Sequence, residues 1–475
     1  MLRKFDFEKI PVVEIVNDIL VDSEKRGASD IHFDPHENLM LIRIRIDGAL
    51  IDYAEVPNDI KKNLITRIKI ISGMNITESR LPQDGAIKTT LQNIDLDLRV
   101  SCLPTMNGEK IVIRILDYSM SEAGLENLGF SESNYEKVMK MISIPNGIIL
   151  VTGATGTGKS TTVYSILQRL NKEDTNIITV EDPIEMNIEG INQVQTNSEI
   201  GLTFANALRS ILRQDPNVIM IGEIRDTETA KIAVRASITG HIVLSTVHTN
   251  NSLNTIERLL DMEVERYLLS SALTGIISQK LARKLCPHCS KKRPTNDYEK
   301  DLFRKVLHKE VNEVSTVEGC EKCGNGYKGR IAVHEVLLVN QEIKDAISSN
   351  LRKDKLRELV YGNHVTTLLQ DGLEKVVQGL TTVEEILKII ELDDDGNNET
   401  NGLDEALKFT KISQEAKEEY EAEKEKNEEK NEEKKEYTMN VDNLFNFDTK
   451  KNTVPDNKPK VEEKPSNEEL IDIQF

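Results

Sequence analysis

The chain is short of basic residues relative to acidic ones, short of cysteine, and without long apolar runs. Lysine and arginine number 61 against 80 aspartates and glutamates, a formal charge of −19. A net-acidic surface excludes a general affinity for nucleic acid or anionic lipid, because such binding needs a basic face. No apolar run approaches the ~18 residues that span a bilayer. The longest, such as 148–151, is strand-sized, so membrane contact is expected only through partners. Residues 1–10 contain no apolar stretch, and no signal peptide is expected there. Five cysteines are too few for a disulfide scaffold.

What is present is unevenly distributed. Residues 391–475 carry 26 acidic and 13 basic side chains, a net of −13, which leaves −6 of the −19 on the first 390. Within that tail, 417–435 is a low-complexity charged run, and apolar residues return only as islands at 441–448 and 470–475. Such a composition buries too little apolar area to offset ordering entropy, so the tail reads as disordered. A single solvated helix over 411–436 is the alternative.

The whole chain of 475 residues leaves room for two to four domains. The first, 1–120, reads as an α+β domain. Val12, Ile15, Val16, Ile19 and Leu20 share one helical face, closed by Gly27. Residues 39–46 then alternate, with Met40, Ile42, Ile44 and Ile46 opposite Arg43 and Arg45. The pattern recurs in 95–102, where Arg99 opposes Leu98 and Val100, and in 111–116, where Arg114 opposes Ile113 and Ile115. These are half-buried strands of one sheet, packed on a helix and presenting arginines on the other face. Ordinary surface charge is the rival reading of those arginines.

A polar stretch with Gly124 and Gly129 marks a linker over 121–133. From 134 to 280 short apolar strands alternate with amphipathic helices, which indicates a doubly wound α/β domain. Residues 281–336 hold four of the cysteines, and 337–390 read as short helices with turns at Asp371-Gly372 and Gln378-Gly379.

The α/β segment carries a phosphate loop. The strand 148–151 runs into Gly153, Ala154, Thr155, Gly156, Thr157, Gly158, Lys159 and Ser160, a full G-x-x-x-x-G-K-S, and Thr161 leads into a helix. The glycines let backbone N–H groups turn inward around phosphates, Lys159 reaches the β- and γ-phosphates of ATP, and the Ser160 hydroxyl sits on Mg²⁺. Such a loop needs carboxylates at neighbouring strand ends. Glu181 and Glu185 follow the strand 177–180, and Glu223 follows 218–221. A strand at 242–245 is bracketed by His241 and His248; a histidine there is either structural or a sensor of the γ-phosphate.

Cys286 and Cys289 form one C-x-x-C pair, Cys320 and Cys323 a second, with 30 residues between them. Two such knuckles complete a tetrahedral S₄ site for structural Zn²⁺. The spacer exceeds the ~15–20 residues of compact zinc ribbons, so an inserted helix is expected, placed at 297–306. A redox pair is the rival for either knuckle alone. His288 reads as a bystander, and the lone Cys102 as a small buried side chain.

Together these strings resemble one family, the secretion traffic ATPases of type II secretion and type IV pilus assembly. The likeness runs from about Pro11 to Ile390. In order come Gly27-Ala28-Ser29-Asp30-Ile31-His32, Arg45-Ile46-Asp47-Gly48 and Arg80-Leu81-Pro82-Gln83-Asp84-Gly85. The phosphate loop follows, then Glu181-Asp182-Pro183-Ile184-Glu185 as the family's aspartate box. Gly222-Glu223-Ile224-Arg225-Asp226 matches its Walker B end, and 240–249 its histidine box.

The resemblance implies a RecA-like ATPase core and a cytoplasmic ring hexamer at the inner face of the cell membrane. Its implied partners are a platform protein and the pilin machinery. In that scheme Glu185 positions the attacking water, Glu223 acts through Mg²⁺, and His248 senses the γ-phosphate. Arg99 and Arg114 reach the γ-phosphate from the N-terminal domain, and Arg209 and Arg213 form a second arginine pair. Assembly-type members carry a tetracysteine that retraction members generally lack, and residues 324–330, Gly-Asn-Gly-Tyr-Lys-Gly-Arg, match the assembly pattern. Pilus or pseudopilus assembly is therefore expected, with a type II secretion or competence-pseudopilus motor as the alternative. A non-hydrolysing nucleotide-gated scaffold is the rival from another class; the presence of Lys159, Glu185 and Glu223 opposes it. Two departures stand out. The histidine box usually continues Asn-Asp, whereas here Asn250-Asn251 follows. The N-terminal docking module of larger members is expected to be missing, which would shift docking to the ring surface, residues 1–10 or the tail.

Overall fold

The structure, a computed structural model, describes residues 2–116, 124–349, 351–362, 365–391, 404, 406–412 and 414. The charged run, the apolar islands of the tail and residues 121–123 of the expected linker lie outside them. Among the described residues no helix is long and apolar enough to cross a membrane.

The first domain comprises α1 (Val12–Lys25), β1 (Ala28–Pro35), β2 (Leu39–Ile46), β3 (Ala49–Pro57), α2 (Asn58–Ile71), β4 (Gln83–Leu91), β5 (Ile94–Thr105) and β6 (Gly108–Ile115). Its strands form a six-stranded antiparallel sheet in the order β3-β2-β1-β6-β5-β4. The alternation works as the sequence suggests. Met40, Ile42, Ile44, Leu98, Val100, Ile111 and Ile113 are buried in one core with the apolar faces of α1 and α2. The other face carries Arg99 and Arg114, directly paired across β5 and β6. Between β2 and β3, Asp47 and Gly48 turn the chain with φ of 48° and 84°, the left-handed pair that suits a two-residue hairpin.

The second domain is built on α3 (Glu132–Ser143), β7 (Gly147–Thr152), α4 (Lys159–Leu170), β8 (Ile177–Glu181), β9 (Asn192–Gln195), α5 (Phe204–Ile211), β10 (Val218–Ile221), α6 (Thr227–Ile238), β11 (Ile242–Val247), α7 (Ser252–Asp261), α8 (Arg266–Ala272) and β12 (Leu273–Leu285). β7, β8 and β10 are buried along their whole length, as parallel strands covered on both faces must be. Two separate apolar cores lie against the two faces of the sheet.

Beyond these come β13 (Ser290–Pro294), α9 (Asp297–Leu307), β14 (Glu313–Val317), β15 (Tyr327–Leu338), α10 (Gln341–Ser348), α11 (Lys353–Gly362), α12 (Leu368–Val377) and α13 (Val383–Glu391). The helix expected inside the cysteine spacer is α9. The core sheet has seven strands in the order β15-β12-β7-β11-β10-β8-β9, parallel except for β15. Here the structure departs from the expected boundaries. β12 crosses residue 280, and β15 lies in the segment assigned to the cysteine subdomain yet edges the core sheet. The reason is pairing: β15 follows β12 from Gly275–Leu338 to Leu285–Tyr327, which no local pattern reveals.

Two further expectations are corrected. Asp371-Gly372 is no turn but lies within α12. The glycine is there because a Cβ would come within 2.7 Å of Ile386 on α13. Gln378-Gly379 does end that helix, with Gly379 at φ 74°. The tail is not uniformly without structure from 391, since residues 406–412 are helical. Phe409 is buried there, stacked on Tyr361 at 4.0 Å between ring centres.

Candidate functional site

The phosphate loop joins β7 to α4 at the carboxyl end of the parallel strands, where open α/β sheets bind ligands. Gly153 sits at φ 151°, and a Cβ there would lie 2.5 Å from the Gln279 carbonyl and the Thr157 hydroxyl. Only glycine fits. Gly158 precedes the helix in the left-handed region, so α4 starts with its free N–H groups facing the loop. Lys159 is buried, and its Nζ donates to the carbonyls of Gly153 at 2.8 Å and Ala154 at 2.9 Å. Burial pulls its pKa below the ordinary lysine value, opposed by the charges of Glu223 and Glu185. A polyanion entering the loop would take those Nζ bonds from the carbonyls.

The loop is pinned from behind by Gln279 of β12. Its Nε2 donates to the Thr157 carbonyl at 2.7 Å, and its Oε1 accepts from Thr162 Oγ1 at 2.8 Å. Sequence reasoning overlooked this residue. The available signal was the polar run Ser278-Gln279-Lys280 set between Ile276-Ile277 and Leu281.

Glu185 follows β8 by four residues, and its carboxylate lies on the side of the Ser160 hydroxyl. Water reaches this side chain, yet protein crowds the cleft around it. That desolvation raises its pKa above the usual carboxylate value, with the Ser160 hydroxyl and the charges of Arg114 and Arg99 acting in the opposite sense. The position is set by a second residue that sequence reasoning missed, Tyr164 of α4. The Glu185 N–H donates to the Tyr164 oxygen at 3.1 Å, and the Tyr164 hydroxyl donates to buried Glu181. Glu181 also accepts from Thr179 at 2.5 Å and from Gln193 at 3.0 Å. Of the two glutamates in this box, Glu181 is therefore a structural anchor and Glu185 faces the loop.

Glu223 follows β10, pairs with Arg225 and lies 3.3 Å from His248 Nε2. The histidine box is tied to β7, because Thr152 Oγ1 donates to the Thr249 carbonyl at 2.6 Å. Asn251 caps α7, accepting from the Asn254 N–H at 2.8 Å. Aspartate and asparagine cap helices equally well, so the departure from Asn-Asp leaves the cap intact.

The arginines divide. Arg99 Nη2 donates to the Ile184 carbonyl at 2.6 Å, which brings the N-terminal sheet onto the residue before Glu185. Its buried Nε has no hydrogen-bond partner among the described residues. Arg114 is mostly exposed and pairs with Asp30 at 3.2 Å. Arg209 and Arg213 are not drawn to the loop. Arg209 bonds Glu228 and Asn206, and Arg213 bonds Ser210 and the Arg209 carbonyl.

The sulfurs of Cys286, Cys289, Cys320 and Cys323 lie within 4.8 Å of one another. Cys323 is 3.5 Å from both Cys289 and Cys320, too far for a disulfide. Four thiolates at 2.3 Å from a tetrahedral ion stand roughly 3.8 Å apart, so the cluster fits a bound metal ion. The Gly326 N–H donates to the Cys323 sulfur at 3.3 Å, the outer support such sites use.

A family model described as "Type II/IV secretion system protein" matches residues 6–388. The chain belongs to that family. As a type II/IV secretion system protein it is an ATPase of the secretion and pilus traffic class, with the mixed α/β architecture the resemblance implied. It is 44% identical over 384 residues to type II secretion system protein E of Pectobacterium carotovorum, covering 80% of this chain and 76% of that one. To the type IV pilus assembly ATPase PilB of Thermus thermophilus it is 45% identical over 376 residues, covering 79% of this chain and 42% of that one. Among solved structures, the pilus retraction motor PilT with bound ADP superposes with a TM-score of 0.55 at 27% identity, over 78% of this chain and 96% of that one.

Proposed function

We propose that this family member is a Mg²⁺-dependent motor of the assembly kind, driving a type IV pilus or a related pseudopilus. It works as a homohexamer at the inner face of the cell membrane, against a platform protein and the pilin machinery, with no nucleic acid and no membrane contact of its own. The observation that carries the reading is Glu185 held beside the phosphate loop by Tyr164 of α4, with buried Lys159 in the field of both Glu185 and Glu223. Residues 153–161 wrap the triphosphate, and Lys159 neutralises its β- and γ-oxygens. Ser160 and Glu223 hold Mg²⁺, which when bound screens the phosphate charge. Glu185 orients the attacking water and takes its proton, a role suited to a carboxylate with a raised pKa. His248, 3.3 Å from Glu223, and Arg99 and Arg114 read the γ-phosphate, while Arg209 and Arg213 act at a surface away from the loop. The four cysteines hold structural Zn²⁺.

The second reading is a type II secretion motor, favoured by the near-equal identity to protein E and its fuller coverage. Glu185→Gln is the test of the chemistry: ATP should still bind, and turnover should fall by at least roughly a hundredfold. Wild-type turnover would remove Glu185 from the water. Deleting the gene and scoring surface filaments against secreted enzymes separates the two pathways.

A further inference from the structure

Two family strings have no part in phosphate chemistry: Arg45-Ile46-Asp47-Gly48 and Gly324-Asn325-Gly326-Tyr327-Lys328-Gly329-Arg330. They lie 282 residues apart in sequence and meet in the fold, where the Gly329 N–H donates to Asp47 Oδ2 at 2.9 Å. We propose that the turn closing the cysteine cluster is the docking surface for the N-terminal domain, so that the metal centre sets where that domain sits.

The chain of contacts is continuous. The Cys323 sulfur accepts from the Gly326 N–H at 3.3 Å, and the Gly326 carbonyl accepts from the Cys286 N–H at 2.9 Å. The turn is therefore bonded to one cysteine of each knuckle. It has no slack, because a Cβ on Gly326 would lie 2.3 Å from Val317 and one on Gly319 would lie 2.6 Å from the Gly324 carbonyl. The next residue, Tyr327, pairs with Leu285 and lies under the Arg283 guanidinium at 4.0 Å. Arg283 is paired with Glu385 and also feels the Asp47 carboxylate. Asp47 thus meets an N–H of the cysteine turn and lies in the field of the Arg283 cation stacked on that turn's Tyr327.

On the opposite side Asp47 is fixed by its own hairpin, where φ 48° followed by Gly48 at 84° leaves little freedom. Among the described residues, hydrogen bonds join the N-terminal sheet to the core at Asp47–Gly329 and at Arg99–Ile184. The second involves an arginine proposed to move with the γ-phosphate. The first involves no group that contacts nucleotide, and it is the fixed end about which the sheet turns.

Amide hydrogen exchange on the full chain tests this without reference to ATPase activity. Asp47→Gly removes the carboxylate while suiting the left-handed turn, and Asp47→Asn keeps an acceptor oxygen. Exchange across 327–331 should rise at least roughly tenfold in Asp47→Gly, the scale of a lost bond to a charged acceptor, and stay near wild type in Asp47→Asn. Stripping the metal with a chelator, or Cys320→Ser, should raise exchange at 45–52 in the other domain while 148–151 in β7 stays protected. Unchanged exchange at 45–52 on metal loss, or at 327–331 in Asp47→Gly, overturns the proposal. Should metal loss unprotect 148–151 as well, the Asp47 pair alone decides it.

Discussion

Gln279 shows how much a catalytic loop owes to one side chain behind it. The amide satisfies the Thr157 carbonyl and the Thr162 hydroxyl at once, and it is itself fully buried. Gln279→Ala takes this partner from the half-buried Thr157 carbonyl and from the buried Thr162 hydroxyl. It should cost about 2 kcal/mol in urea unfolding and weaken nucleotide binding; an unchanged affinity would show that the loop holds its shape alone. Glu185 illustrates the opposite case, a charge kept where the fold disfavours it. Its pKa is raised in the folded chain, so its ionisation works against folding at neutral pH, and the penalty fades as pH falls through the raised value. Glu185→Gln should therefore raise the thermal midpoint at pH 8, with the gain vanishing near pH 4. Wild-type ATPase activity should lose its acid limb above the usual carboxylate range. A midpoint that does not move with the substitution at any pH would contradict this.

At the scale of elements, α12 and the helical residues 406–412 were the least legible. Gly372 sits mid-helix against Ile386, where composition suggests a turn. Asp371 beside it is buried and paired with Lys375, one helical turn on. Glycine and aspartate are turn residues by local preference, and only contact with a second helix makes them helical. The tail segment is similar. The charged tail it opens reads as disordered as a whole, but Phe409 stacks on Tyr361, and the Thr410 hydroxyl lies 2.9 Å from that of Thr367. Phe409→Ala should destabilise by about 3 kcal/mol. Truncation after Ile390 should lower the thermal midpoint, and truncation after Lys417 should not. Equal midpoints for the two truncations would mean the helix does not dock in solution.

For the whole molecule, the decisive relation is between the N-terminal sheet and the core. Arg99 lies on β5, yet its guanidinium reaches the carbonyl before Glu185 with one buried N–H to spare. A γ-phosphate offers that guanidinium a charged, bidentate partner in place of a carbonyl. Arg99→Ala should leave ADP affinity near wild type and weaken a non-hydrolysable ATP analogue by roughly tenfold. Equal losses for both nucleotides would assign Arg99 to general binding, and no loss would return it to ordinary surface charge.

The sequence alone determined the phosphate loop, the alternation of the first sheet, the cysteine pairs and the doubly wound order. Each depends on spacing along the chain, and backbone geometry turns spacing directly into position. Tertiary structure alone decided that β15 joins the core sheet, that Tyr164 and Gln279 hold the site, and that Arg99 meets the aspartate box while Arg209 and Arg213 turn away. Those outcomes rest on which distant surfaces pack together, and a side chain's partner 85 or 122 residues away leaves no periodic trace in the chain.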